Sequence, residues 1–174
     1  MDIRGIQKLS LIDYHGKISS VLFLPGCNLR CPYCHNPELI NNIESLPKIT
    51  EEDALKFLES RIGWIDGIVI TGGEPTLQEG LEGFIRKVRE LKLAVKLDTN
   101  GTKPGILRSL IGKGLLDFIA MDIKAPLENY GKVSQANIEH IRESIRMIIR
   151  SNVAHEFRST VLPRLHTKAA ILRM

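Results

Sequence analysis

The chain has 174 residues, 43% of them hydrophobic and 25% charged, with a formal charge of +4 and a pI of about 9.0. That length suits one domain around a single core, and no apolar run approaches the ~20 residues that span a bilayer. The basic excess is mild and has no interleaved aromatic residues or nucleic-acid motif, which argues against a nucleic-acid partner.

The N-terminal stretch "MDIRGIQKLSLIDYHG" lacks the uninterrupted apolar core of a signal peptide, so a cytoplasmic chain is expected. "ISSVLFL" (18–24) reads as a buried strand. "ITEEDALKFLESRIG" (49–63) reads as a helix, with Thr50 as N-cap, acids in the first turn and Gly63 as the stop. Trp64, just beyond it, is expected in the core. "GIVIT" (67–71) is the next strand. A helix over 77–92 presents Leu81, Phe84, Ile85 and Val88 on one face. A strand at 94–99, a helix at about 104–113 and a strand at 117–123 follow. A longer helix over about 134–150 carries Ile138, Ile141, Ile145 and Ile148 at core spacing, and a strand at 154–162 closes the series. The basic residues Arg142, Arg146, Arg150, Arg158, Arg164, Lys168 and Arg173 read as a solvated face and helix-end charges, with a docking surface for an acidic partner as the alternative.

Strands alternating with helices imply right-handed crossovers and a parallel sheet. A full eight-unit barrel takes ~250 residues. The chain has room for about five β/α units, so an open sheet or a partial barrel is expected. Ligands in either architecture sit at the carboxyl ends of the strands. The cysteine loop, "TGGEP", "DTNG", "MDIK" and Arg158 all fall at that end.

The three cysteines, Cys27, Cys31 and Cys34, lie within "LPGCNLRCPYCHNPE". So close a grouping makes a poor disulfide framework, because one thiol is left over, and in a cytosolic chain it points to metal or redox chemistry. Zinc is one reading, with His35 as a fourth ligand. An iron–sulfur cluster is the other. A four-iron cube on three thiolates leaves one iron open, as a catalytic site requires.

C-x3-C-x2-C with an aromatic residue, Tyr33, before the third cysteine resembles the radical S-adenosylmethionine (SAM) enzymes. "SLIDYHGKISSVLFLPGCNLRCPYCHNPEL" is similar to the activating proteins of anaerobic ribonucleoside-triphosphate reductases. "GGEP", "LDTNG" and "MDIK" look like motifs of the pyruvate formate-lyase activating enzymes. The resemblance runs from about residue 3 to residue 167. It implies a partial (β/α) TIM-like barrel of the radical SAM type. It also implies a [4Fe-4S] cluster on Cys27, Cys31 and Cys34, with SAM chelated at the open iron. The activity implied is reductive cleavage of SAM and hydrogen abstraction from a backbone glycine of a partner glycyl radical enzyme. Anaerobic ribonucleotide reductase is the expected partner, with flavodoxin or ferredoxin as electron donor.

The same resemblance assigns further residues. Gly72, Gly73 and Glu74 line the SAM amino group. Asp98 holds the SAM end of the site, with a monovalent cation as a further candidate. Asp122 and Lys124 share one side of their strand and meet the ribose hydroxyls and the SAM carboxylate. His35 packs near the adenine. Beside what the resemblance assigns, Arg158 is a candidate for orienting SAM or the partner's glycine loop, with an outward-facing surface arginine as the alternative, and Asp13 is a candidate for approaching that loop. Family members continue past "HTKAAILRM" with a helix, a sixth strand and a final SAM-lining segment. The chain therefore reads as C-terminally truncated, with an open sheet edge. Two rivals stay open. One is a radical SAM enzyme acting on a small molecule, as deazaguanine synthases do. The other is a non-catalytic remnant that binds a cluster or zinc.

Overall fold

A computed structural model of the chain describes residues 1–133, 136–163 and 166–173. The elements in chain order are β1 (Gly5–Ser10), β2 (Ser19–Leu24), α1 (Glu38–Asn41), α2 (Glu51–Glu59), β3 (Gly67–Gly72), α3 (Leu81–Glu90) and β4 (Ala94–Thr99). They continue with α4 (Pro104–Gly112), β5 (Phe118–Asp122), α5 (Tyr130–Val133), α6 (Ile138–Arg150), β6 (Ala154–Arg158) and α7 (Lys168–Ile171). The strands form one six-stranded sheet in strict sequence order, β1 to β6. β2 to β6 are parallel and β1 is antiparallel to β2. The sheet winds in one direction and does not close, giving a partial barrel. The five predicted strands are β2 to β6. β1 is an addition that the sequence reading did not include: "GIQKLS" lacks strict alternation and is a strand through its pairing to β2.

The inner strands read as continuous apolar runs because both of their faces are covered. Their outer residues, such as Ile68, Ile70, Leu97 and Ile119, pack under the helices in the main core with Phe84, Ile85, Val88, Ile141 and Ile148. The inner, concave face carries a smaller cluster of Val21, Val69 and Tyr14, with Phe23 and Phe118 against it. Tyr14 comes from the β1–β2 connection and meets Phe118 edge to face, closing the lower end of the concavity.

The helix boundaries have local causes. Thr50 caps α2 by accepting the Asp53 N–H, as the sequence predicts. α3 starts only at Leu81 because Gly80, in a left-handed conformation, precedes it. Asn137 caps α6 through the Glu139 N–H. Residues 134 and 135, where that helix was expected to begin, lie outside the described residues, as does Arg164. β6 stops at Arg158 rather than at residue 162, and among the described residues it pairs only with β5. Trp64 is not in the core. It is 72% exposed, in the turn before β3 where its N–H bonds the Arg61 carbonyl. The space beneath the sheet there is filled by Ile65 and Leu58 instead. Among the described residues no helix is long and apolar enough to cross a membrane.

Candidate active site

The concave face opens above Phe23 and Val21 into a cavity of about 400 Å³, within the range of small-ligand sites. Cys27, Cys31 and Cys34 form one side and Gly72 and Gly73 the adjoining wall. Asp98, Asp122, Lys124 and Arg158 also line it, and Asp13, Tyr33 and His35 border the cavity as well.

The cysteine loop is seated on the glycine loop by paired backbones. The Gly73 N–H donates to the Leu24 carbonyl at 2.8 Å, and the Glu74 N–H to the Gly26 carbonyl at 2.7 Å. A Cβ on Gly73 would overlap the Gly26 carbonyl, and one on Gly72 would overlap the backbone of Leu24. Gly72 also has φ 123°, a region closed to other residues. The two glycines are therefore needed so that two strand-end loops can touch.

Glu74 departs from expectation. Its side chain is 0% exposed and turns away from the cavity. Oε1 accepts from Thr76 N–H (3.1 Å), Thr76 Oγ1 (2.5 Å) and Thr99 Oγ1 (2.7 Å), and Oε2 accepts from the Asn100 N–H (2.6 Å). Burial raises its pKa, and these hydrogen bonds oppose the rise. The glutamate is a bracket between the β3 and β4 loops, not a wall of the site. The backbone donors at these strand ends have no ladder partner and need an acceptor.

Three strands build the charged wall. Alternation puts Lys96 and Asp98 on one face of β4, and the register sets Asp122 beside Arg158 across β5 and β6. Arg158 donates to Asp98 Oδ2 and to Asp122 Oδ1, each at 3.1 Å. Lys124 Nζ lies 2.9 Å from Asp122 Oδ2. Lys96, which the sequence reading left unassigned, is 4% exposed. It reaches Glu156 at 3.1 Å and donates to the Asp13 carbonyl at 2.6 Å, tying the β1–β2 connection to the barrel. Burial raises the pKa of Asp98 more than Arg158 and Lys96 lower it. Burial works against the charge on Arg158, yet Asp98 and Asp122 more than offset it and its pKa rises.

Asp98 Oδ1 is buried without a hydrogen-bond partner, 3.8 Å from Lys96 Nζ. Lys96, Lys124 and Arg158 already balance Asp98, Asp122 and Glu156. A monovalent cation at Asp98 would face an ammonium with no excess negative charge to hold it. Asp98 Oδ1 is the unpartnered acceptor that the cation suggested by the resemblance would use, with the Lys96 ammonium as its competitor.

Lys124 is fixed through its backbone. Its N–H donates to the Tyr130 hydroxyl at 3.0 Å, and its carbonyl accepts from Tyr33 at 3.3 Å and from His166 Nε2 at 2.9 Å. His166 Nδ1 accepts the Leu162 N–H, so Nε2 carries the proton and is the donor. Tyr130 and His166 carry no recognisable motif and were not found from sequence. Tyr33 thus links the cysteine loop to the end of β5.

Burial raises the pKa of Cys27 and of Cys31, and on Cys31 the nearby Lys124 opposes it. Among the described residues, no group of three His, Cys, Asp or Glu converges on a single metal ion. Three soft thiols spread around one end of an open cavity instead suit a multi-iron cluster with a free corner.

A one-way, open β/α sheet with such a cysteine loop at its carboxyl end defines a radical SAM protein, and the Radical SAM superfamily profile matches residues 21–168. That superfamily uses a [4Fe-4S] cluster and SAM. A Methanocaldococcus jannaschii protein named as a glycyl-radical enzyme activating enzyme is 38% identical over 94% of this chain and 69% of its own length. The pyruvate formate-lyase-activating enzyme of Clostridium pasteurianum is 33% identical over 70% of this chain. The chain spans only 52% of that clostridial relative. The chain belongs to the radical SAM superfamily, in the branch of the glycyl-radical enzyme activating enzymes. The fold alone is also shared with Streptococcus suis SuiB bound to S-adenosylmethionine, at TM-score 0.64 and 15% identity, over 87% of this chain and 37% of that one.

Proposed function

We propose that this chain carries the catalytic site of a glycyl-radical enzyme activase, with anaerobic ribonucleotide reductase as the partner. When bound, the cluster supplies one electron to SAM, releasing methionine and the 5'-deoxyadenosyl radical that takes a hydrogen atom from the partner's glycine. The observation that carries the reading is the cavity itself. It is lined by three thiols, by the half-buried backbone of two glycines and by a charge-balanced set of side chains.

The residues divide the work. Cys27, Cys31 and Cys34 hold the cluster. Gly72 and Gly73 present backbone with no side chain in the way, so a ligand's amino group can approach carbonyl oxygens closely. Lys124, held rigidly by Tyr33, Tyr130 and His166, offers an ammonium to a carboxylate. Asp122, within reach of both Lys124 and Arg158, accepts hydroxyl donors. His35, exposed at the rim, stacks against the base. Arg158 and Asp13 border the mouth, where a peptide loop enters. Flavodoxin or ferredoxin is the electron source in this reading.

The test is anaerobic reconstitution of the full chain with iron and sulfide, reduction in the presence of SAM and assay for 5'-deoxyadenosine. The reduced reductase subunit is then added and its EPR spectrum recorded. A glycyl radical doublet that is lost with Cys31→Ala is the expected result. SAM cleavage without a doublet on the reductase would reject that partner, and a cluster without cleavage would reject catalysis by this chain.

A further inference from the structure

Asn100 directly follows β4, in the "LDTNG" segment, where the sequence reading assigned a role to Asp98 but none to the asparagine. Its Oδ1 accepts from the Thr102 N–H at 3.0 Å and from Thr102 Oγ1 at 2.7 Å. A backbone N–H can only donate, so the orientation of the carboxamide is fixed and its nitrogen points the other way. Nδ2 donates to Asn28 Oδ1 at 3.1 Å and reaches Cys27 Sγ at 3.7 Å. Asn28 Nδ2 in turn donates to Thr102 Oγ1 at 2.9 Å, closing a ring of hydrogen bonds between the cysteine loop and the β4 loop. Glu74 holds the whole arrangement from below through the Asn100 N–H.

The same sulfur accepts the Leu29 N–H at 3.4 Å. Cys27 therefore has two nitrogen donors from other residues, whereas on Cys31 the donor is its own backbone N–H. A donor to a ligating thiolate draws electron density from sulfur. It favours the more negatively charged, reduced form of the cluster and raises its potential.

We propose that Asn100 is a tuning residue. Its carboxamide N–H bonds the Cys27 thiolate, raises the potential at which the cluster accepts its single electron, and makes that corner of the cluster distinct from the other two. The electron comes from the external reductant, and no bond is formed or broken by Asn100. The proposal rests on the assignment of the three cysteines to a cluster.

The test compares the reconstituted full chain with N100D, N100A and T102V by potentiometric titration followed by EPR, with iron and sulfide content measured separately. N100D keeps an acceptor for Thr102 and removes the donor. N100A removes both without adding charge. T102V disturbs the same turn and leaves the donor in place. The midpoint should move to more negative potential in N100D and N100A and stay at the unmutated value in T102V. An unmoved midpoint in N100A at full cluster content, or an equal shift in T102V, would overturn the proposal. One measurement needs no variant. Pulsed EPR of the reduced, unmutated chain labelled with 15N at its asparagine carboxamides should show a nitrogen coupling, and its absence also overturns the assignment. A chain that takes up no iron sinks the cluster reading itself, and the tuning role with it.

Discussion

Replacing Glu74 separates a bracket from a ligand contact. Its carboxylate is fully buried and takes donors from Thr76, Thr99 and Asn100. E74Q keeps Oε1 for Thr76 and Thr99 but turns an amide NH2 toward the Asn100 N–H. One charge-strengthened hydrogen bond, about 1.5–3 kcal/mol, is lost. Burying a neutral amide in place of a carboxylate returns part of this, leaving a net loss of about 2 kcal/mol. E74A strands the Thr76 and Asn100 N–H groups, at about 1–3 kcal/mol each, so a loss of about 4 kcal/mol is expected. At roughly 2–4 °C per kcal/mol for a chain of this size, E74Q should lower Tm by about 4–8 °C and E74A by more. The assay is thermal unfolding of the cluster-free full chain by circular dichroism. No ligand is present, so a residue that only contacts SAM would change stability by about 0.5 kcal/mol or less. A cluster-free E74Q with unchanged Tm would refute the bracket.

Three further outcomes follow from the geometry. Burial raises Asp98 above its ordinary value of 3.8; such a group stabilises the fold fully below its unfolded pKa and loses that contribution as pH rises through its folded pKa. The stability of the unmutated chain relative to D98N should therefore fall as pH rises above about 4, as read by urea unfolding at a series of pH values; a difference that grows with pH contradicts it. G73A sets a methyl against the Gly26 carbonyl and should displace the cysteine loop, seen as lower iron content after reconstitution; full loading would show that the loops can part without loss. Ser144, buried in α6, donates to the Gly101 carbonyl at 2.7 Å. S144A should cost about 1–3 kcal/mol in chemical denaturation by leaving that carbonyl unpaired, and a neutral result would mean that water replaces the hydroxyl.

The sequence by itself determined the β/α order, the helix faces and the placement of Cys27, Cys31 and Cys34 after β2. These are local facts. Apolar periodicity, caps such as Thr50 and the spacing of thiols in one loop are written in consecutive residues, and the rule that ligands gather at strand carboxyl ends turned them into one site. β1 escaped notice because a short antiparallel strand with exposed residues carries little pattern of its own. Trp64 misled because size suggested burial, while its turn at the foot of β3 faces solvent.

What only the tertiary structure decided were the partnerships between distant segments. Glu74 reads as part of a ligand-binding motif, yet its acceptors are claimed by Thr99 and Asn100 from the next loop. Lys96 looks like an ordinary strand lysine until β4, β6 and the Asp13 carbonyl close around it. His166 and Tyr130 hold Lys124 from 42 and 6 residues away. A hydrogen bond depends on where two backbones finally stand, and that is set by strand register and sheet curvature over the whole chain, which no local window of residues contains.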